Sequence, residues 1–388
     1  MCPDEGRGPA PTRAQQRPVP ASWNLGNRTP ARVGERHPIP MTVAAFLDLT
    51  GARLPIVQSP MAGFGGPDLA IAAIRAGGIG SLACATLEPA QMIAQAETIR
   101  AAVRGPLNLN FFCHTLAPAP DEMAWRSALA PFYAAEGIDA PTEIPPLRRP
   151  FDAVMADAVE RIRPEIVSFH FGLPDKALLD RVKATGARVF GNATNVDEAQ
   201  ALAARGCDAV ITQGFEAGGH AGHFLFGHHP VGLAALVPAI VDTVNVPVIA
   251  AGGIGDERGV RAAMALGASA VQLGTAYLLS PETTTSAAHR ARLADASADD
   301  SVFTTLFSGG LARGLRNRLI EALGPVSDIA PPFPYASAAL AALRAKAEGE
   351  GRGDYSPLWA GQGVHLVRAE PAETITRRLG EAALKGVR

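Results

Sequence analysis

The chain is short of charge and has no long apolar run. Charged residues make up 19% of its 388 positions and leave a formal net charge of −2. That balance gives no electrostatic case for a nucleic acid or an anionic membrane surface. No stretch of about 18 apolar residues occurs, so no membrane span is expected. The four cysteines, Cys2, Cys84, Cys113 and Cys207, include no CxxC pair. A disulfide framework and the usual zinc spacings are therefore not expected. Three of them lie in or beside apolar runs and read as buried thiols, which fits a reducing, cytoplasmic setting. Neither an internal repeat beyond a βα alternation nor a long dinucleotide fingerprint is present.

Residues 1–40 stand apart, with eight prolines, six arginines and no apolar periodicity. Such a segment cannot bury enough surface to offset the entropy of ordering it, and a solvated, disordered tail is expected. It also lacks the apolar core of a signal peptide. Globular sequence begins at Met41, which is expected to be the natural start.

What is abundant is apolar sequence, 47% of the chain, and its arrangement is informative. Short apolar runs are expected as strands at Leu54–Gln58, Gly80–Cys84, Leu107–Phe112, Ile166–Phe169, Arg188–Ala193, Ala209–Gln213, Val246–Ala250 and Ala270–Leu273. Ala/Leu-rich segments with helical spacing separate most of them, among them Asp68–Ala76, Ala90–Val103, Val196–Ala204 and Arg258–Leu266. Continuous apolar strands alternating with helices imply a parallel sheet covered by helices. Eight such units favour an α/β fold of the (β/α)8 TIM-barrel type over an open sheet. The barrel is expected over 41–282, with extra helices in the long gap 113–163. Residues 283–350 read as a smaller helical lid. Residues 351–388 read as a linker and a helix, Glu370–Leu384, returning to the barrel wall, with Glu348–Asp354 mobile.

A barrel of this type builds its active site at the C-terminal ends of the strands. After the first strand comes Pro60-Met61-Ala62-Gly63, where glycine lets the backbone lie close to a ligand. Asn108 and Asn110 share one face of the third strand and need partners there: a ligand edge or the barrel interior. His170 ends the fourth strand between two phenylalanines, facing the mouth or packed in the core. The sixth strand runs into Gln213 and then Gly218-Gly219-His220, a glycine loop ending in an imidazole suited to accept a proton near neutral pH. His223, His228 and His229 follow without HxxxH spacing or a carboxylate cluster, so no metal is expected. After the seventh and eighth strands come Gly252-Gly253 and Gln272-Leu273-Gly274-Thr275. Paired glycine loops at these two positions suit a phosphate held by backbone N–H groups. The ligand is expected to carry a single phosphate, as FMN or a phosphorylated substrate does.

Several pieces together resemble the nitronate monooxygenase family: QSPMAG, NLNFFCH, VSFHFGLP, ITQGFEAGGHAGH, AAGGIGD and QLGTAYLLSPE, with SGGLARGLRNR and WAGQG further on. The likeness runs in order from about Pro55 to Gln362. It implies non-covalent FMN at the barrel mouth. The flavin ring would lie near Pro60, Met61, Ala62, Asn110 and Gln213. The phosphate would lie near Gly218, Gly219, Gly253, Gln272, Gly274 and Thr275, with Gly252 beside them. His220 matches the family's catalytic base and His170 a second active-site histidine. The implied reaction oxidises an alkyl nitronate with O2 to a carbonyl compound and nitrite. His220 would either remove the α-proton of a nitroalkane or pair, as imidazolium, with the nitronate.

The chain departs from better-known members near the substrate. Tyr335, Phe151 and Ser308 are expected around the pocket, but only Tyr335 matches a family tyrosine. Ala339 stands where a lysine is expected, so a less polar pocket is anticipated. The substrate is expected to be a small nitronate together with O2, with no nucleic-acid or membrane partner; a homodimer is left open. The main alternative is an FMN-dependent NAD(P)H reductase of quinones or enoyl thioesters. A non-catalytic flavin-binding protein and a metal-dependent hydrolase are further readings.

Overall fold

The computed structural model describes residues 41–141, 147–225 and 227–385; the expected tail at 1–40 lies outside them. Eight parallel strands form the ring: β1 (Ile56–Gln58), β2 (Gly80–Ala83), β3 (Leu107–Phe112), β4 (Ile166–His170), β5 (Arg188–Ala193), β6 (Ala209–Gln213) and, after the two-residue β7 (Gly219–His220), β8 (Val248–Ala251) and β9 (Ala270–Leu273). They pair in the order β1-β9-β8-β6-β5-β4-β3-β2. A parallel bridge from Val57 to Ile79 joins the two ends. The result is a (β/α)8 barrel, as the alternation of the sequence implies.

Most strands are largely apolar on both faces because each face meets a different core. Within β6, Ala209 and Ile211 join Ile166, Phe190 and Ile249 inside the barrel. Val210 between them joins the cluster under the surrounding helices. A period of two is thus present but hidden, since neither face is polar. The helix Val43–Thr50 contributes Phe46 to the inner cluster, 6.3 Å from the Phe190 ring. The C-terminal helix, Ala372–Lys385, packs on the helices Pro67–Ala76 and Glu257–Ala265. The Tyr277 hydroxyl meets Thr376 Oγ1 at 2.7 Å there.

The region 283–350 differs from the helical lid expected. It contains helices at 287–294, 318–323 and 341–349, but also an antiparallel hairpin of β10 (Ser301–Thr304) and β11 (Ala312–Leu315). Strands of four residues are too short for their alternation to be told from an Ala/Leu-rich helical pattern. The hairpin positions the site, because Ala312 of β11 pairs with His220 of β7. A separate apolar core lies here. Trp125, Leu129, Phe132 and Tyr133 of the helix Met123–Glu136 pack with Leu306, Phe307, Leu343 and Tyr355. The inserted helix after β3 therefore shares this core with residues beyond 283.

The expected mobile stretch 348–354 is tied down. Arg352 Nη2 donates to Glu136 at 2.6 Å and to Glu350 at 2.6 Å. Tyr355 donates its hydroxyl to Glu136 at 2.7 Å, and Arg318 lies 3.3 Å from the same carboxylate. The Glu136 side chain is 7% exposed. Removing a buried carboxylate that serves three donors leaves them unpaired, so Glu136→Ala is expected to cost about 2–3 kcal/mol. Limited proteolysis should then cut first within 349–358. Unchanged melting and an unchanged cleavage pattern would contradict this role.

Candidate active site

All the residues expected to hold the cofactor, together with both histidines, border one cavity of about 180 Å³ at the C-terminal ends of the strands. Gln213, the last residue of β6, organises one side of it. Its Nε2 donates to the His220 carbonyl at 2.8 Å, and its Oε1 accepts from the Gly222 amide at 2.8 Å and from Asn192 Nδ2 at 3.1 Å. Both ends of the amide are committed, so the loop 214–222 is fixed against the strand that precedes it. Gly222 is glycine for a steric reason. A Cβ there would lie 2.2 Å from Asn192 Nδ2 and 2.5 Å from His170 Cε1.

His220 is held from the lid side. Its Nε2 lies 2.8 Å from Ser308 Oγ. Where Nε2–H donates to Ser308, Nδ1 keeps a free lone pair and makes no hydrogen bond among the described residues. The rings of Phe112, Phe171, Phe333 and Trp359 lie 5.1–6.1 Å from the imidazole. Phe171 adopts a left-handed backbone conformation, φ 65°, which is strained for a bulky residue. Its ring lies 4.5 Å from that of His170.

This apolar enclosure sets the protonation state. Burial, then the nearby Arg148, His170 and His114 charges, hold His220 well below the ordinary histidine range. Burial pushes His170 down to about 4, against a hydrogen bond to the His220 carbonyl that favours its charged form. Both rings are neutral at pH 7. Of the two roles open to His220 in the sequence, a neutral ring is compatible with proton acceptance and not with a standing imidazolium.

On the opposite side lies a cradle of backbone. Among the described residues the amides of Gly252, Gly253 and Gly274 have no backbone acceptor. Gly218 is crossed by the C-terminal segment, where a Cβ would meet the Ala360 carbonyl carbon and the Gly361 nitrogen, each at 2.6 Å. Thr275 Oγ1 accepts from the Gly361 amide at 3.0 Å, which leaves its own O–H free to donate. The Gln272 Oε1 atom is buried without a partner, a costly state for an amide oxygen unless a ligand supplies a donor.

Other expectations fall differently. Asn110 borders the cavity, but its Nδ2 is spent on Ser168 Oγ at 2.9 Å. Asn108 lies deeper and donates to Ser81 Oγ at 3.0 Å. Phe151 does not line the cavity: its ring packs edge-on against Phe111 and Phe169 at 4.8 and 5.2 Å, within the core under the helices. Tyr335 is buried away from it too, with its hydroxyl given to the Ala117 carbonyl. Ser308 reaches the site only through His220. The sequence reading missed Phe333 and Trp359 against His220, and Arg148, Asn192, Gly361 and Gly363 in the wall. WAGQG was the one available signal for three of these, Trp359, Gly361 and Gly363. No cluster of three or more His, Cys, Asp or Glu among the described residues is placed to hold a metal, and no described helix is long and apolar enough to cross a membrane.

The family model for nitronate monooxygenase matches residues 44–380. A nitronate monooxygenase of Pseudomonas aeruginosa is 40% identical over 343 residues, 87% of this chain and 98% of that protein. Among solved structures, a nitroalkane oxidase from Streptomyces ansochromogenes superposes with a TM-score of 0.78 at 32% identity, covering 88% of this chain and 98% of that one. FabK from Thermotoga maritima superposes with a TM-score of 0.65 at 27% identity, covering 88% and 94%.

The depressed His170 value makes a signed prediction. Between about pH 4 and the ordinary value near 6.5 the folded chain binds fewer protons than the unfolded one, so stability falls on acidification through that window. Allowing for the partial exposure of the ring to the cavity, the His170 share at pH 4 is about 2 kcal/mol. Urea denaturation of wild type and His170→Gln between pH 7 and pH 4.5 should show the wild type losing more. Parallel pH curves for the two proteins would show that His170 is not held neutral.

Proposed function

The chain belongs to the nitronate monooxygenase family, and from that premise we propose that it binds FMN and oxidises alkyl nitronates with O2 to a carbonyl compound and nitrite. The observation that carries this reading is the placing of a neutral, Ser308-anchored His220 over a cavity whose far side is bare backbone. The family is flavin-dependent, and the residues present suit a single-phosphate flavin. The orphaned Gln272 oxygen asks for a donor. The open amides of Gly252, Gly253 and Gly274, with the Thr275 hydroxyl and the close backbone at Gly218 and Gly219, suit a phosphate. Pro60, Met61, Ala62, Asn110 and Gln213 would line the ring. FMN, when bound, supplies the electron acceptor and the site of reaction with O2.

The chain's own residues then have definite tasks. His220, neutral and with Nδ1 free, takes the α-proton from a nitroalkane that enters unionised. Ser308 holds that ring in place. Phe112 and Trp359 line the cavity beside His220, while Phe171 and Phe333 back its ring; together they exclude water from the carbon that must meet O2. His170 and Gln213 act on the His220 main chain and position it. Both the curated relative and the nitroalkane oxidase structure carry nitro-compound names. That favours nitronate chemistry over the nicotinamide-dependent reductase that the sequence leaves open.

Purified protein should be yellow and release FMN on acid denaturation. In air it should consume O2 and form nitrite with ethyl nitronate. His220→Gln should lower turnover of nitroethane by about 100-fold or more, the usual share of a general base, while ethyl nitronate, already deprotonated, is affected less. A protein that ignores ethyl nitronate, or a variant that loses both substrates equally, would contradict the proposal.

A further inference from the structure

Among the described residues, the walls of the cavity contain no aspartate, glutamate or lysine. Three ionisable side chains line it: His170, His220 and Arg148. Both histidines are held neutral by burial. Among the described residues Arg148 is thus the single standing charge on the cavity surface, since a guanidinium does not give up its proton at neutral pH.

The environment of Arg148 is unusual for an arginine in this chain. Its neighbour Arg149 pairs with Asp152. Arg126 pairs with Glu122, Arg344 with Glu348, and Arg352 with three carboxylates. Arg313 is clamped between the Phe215 and Phe303 rings and donates to two backbone carbonyls. Among the described residues Arg148 makes no hydrogen bond and no ion pair, and the charge acting most on it is the like charge of Arg344. Burial and that repulsion both act against its charged form. A half-buried cation without a counter-ion is poorly compensated, and an arriving anion relieves this. Arg148 also stands in the wall between this cavity and a smaller one, bordered by Leu87, Leu147 and Met155 and by the Glu88 and Asp152 carboxylates, neither of which pairs with it. It therefore reaches the cavity from the loop before the helix Ala153–Ile162, away from the glycine cradle.

We propose that Arg148 is the counter-cation that binds the substrate's anionic nitronate group. A nitronate spreads its charge over two coplanar oxygens, which the planar fork of a guanidinium can meet with two parallel hydrogen bonds. No other group among the described residues of the cavity wall offers it a positive charge. The inference rests on the nitronate reading of the cavity, and it revises the expectation of a less polar pocket. The polarity is present, supplied from the 147–150 loop and not from the position of Ala339.

The test uses the FMN-loaded enzyme with Arg148→Met and Arg148→Lys. Arg148→Met should raise KM for ethyl nitronate by about 30-fold or more, the usual effect of removing one partner of a buried charge pair. KM for uncharged nitroethane should stay within about threefold. Arg148→Lys should recover part of the loss. A second readout needs no turnover. Acetate, a planar two-oxygen anion, and acetamide, its uncharged isostere, are titrated against the flavin absorbance. Arg148→Met should weaken acetate at least about tenfold and leave acetamide unchanged. Because this binding is independent of catalysis, it tests Arg148 even if nitronates are not turned over. Equal effects on ethyl nitronate and nitroethane would overturn the assignment, and so would unchanged acetate binding. Loss of FMN from Arg148→Met would make the cofactor phosphate the counter-ion. Loss confined to the nitronate of 3-nitropropionate would make its carboxylate the group bound. Either result would also overturn the proposal.

Discussion

The Gln213 amide is the constraint on which the site depends. It closes β6 and commits its donor to the His220 carbonyl and its acceptor to Gly222 and Asn192. Nothing else in the loop 214–222 is rigid by sequence, since its glycines permit many conformations. One side chain anchored in a strand therefore converts a permissive loop into a fixed platform. The lid completes the fixing, because β11 pairs with β7 and Ser308 holds the imidazole. His220 is thus located by a barrel strand on one side and a hairpin on the other.

The chemistry follows from the dryness of that platform. Surrounding an imidazole with four aromatic rings removes the water that would solvate its charged form, so the ring stays neutral. A neutral base can accept a proton, but it cannot balance an anion. The same enclosure that keeps His220 neutral leaves an anion in the cavity without a partner there, and in its proposed role Arg148, the one standing charge among the described wall residues, supplies it. Electrostatics and packing are here two consequences of one arrangement.

The barrel was legible because its strands are short, continuous and apolar, and the ends of β3, β5, β6 and β9 agree with the runs read from the sequence. Glycines beside strand ends were equally legible, since a missing side chain next to a strand terminus has few uses other than close approach. Residues whose role depends on side-chain direction were not. Phe151 was placed near the substrate by position and Tyr335 by its match to a family tyrosine, but one turns into the helix layer and the other donates to Ala117. Phe333 and Trp359 reach His220 from distant chain, and no local pattern marks such residues. Arg148 sits in a Pro-rich stretch of the long gap 113–163, and only the fold shows that it borders the cavity. The β10–β11 hairpin was missed because eight residues of strand carry too little periodicity to stand out.

The most direct test of the central claim is a single anaerobic mixing experiment on the purified yellow protein. Ethyl nitronate, NADH and NADPH are each added without oxygen, and the flavin absorbance is followed. The account predicts that the nitronate reduces the flavin within the time of one turnover while neither nicotinamide does so at a comparable rate. Rapid bleaching by NADH or NADPH, with no response to the nitronate, would contradict it and assign the same cavity to a reductase.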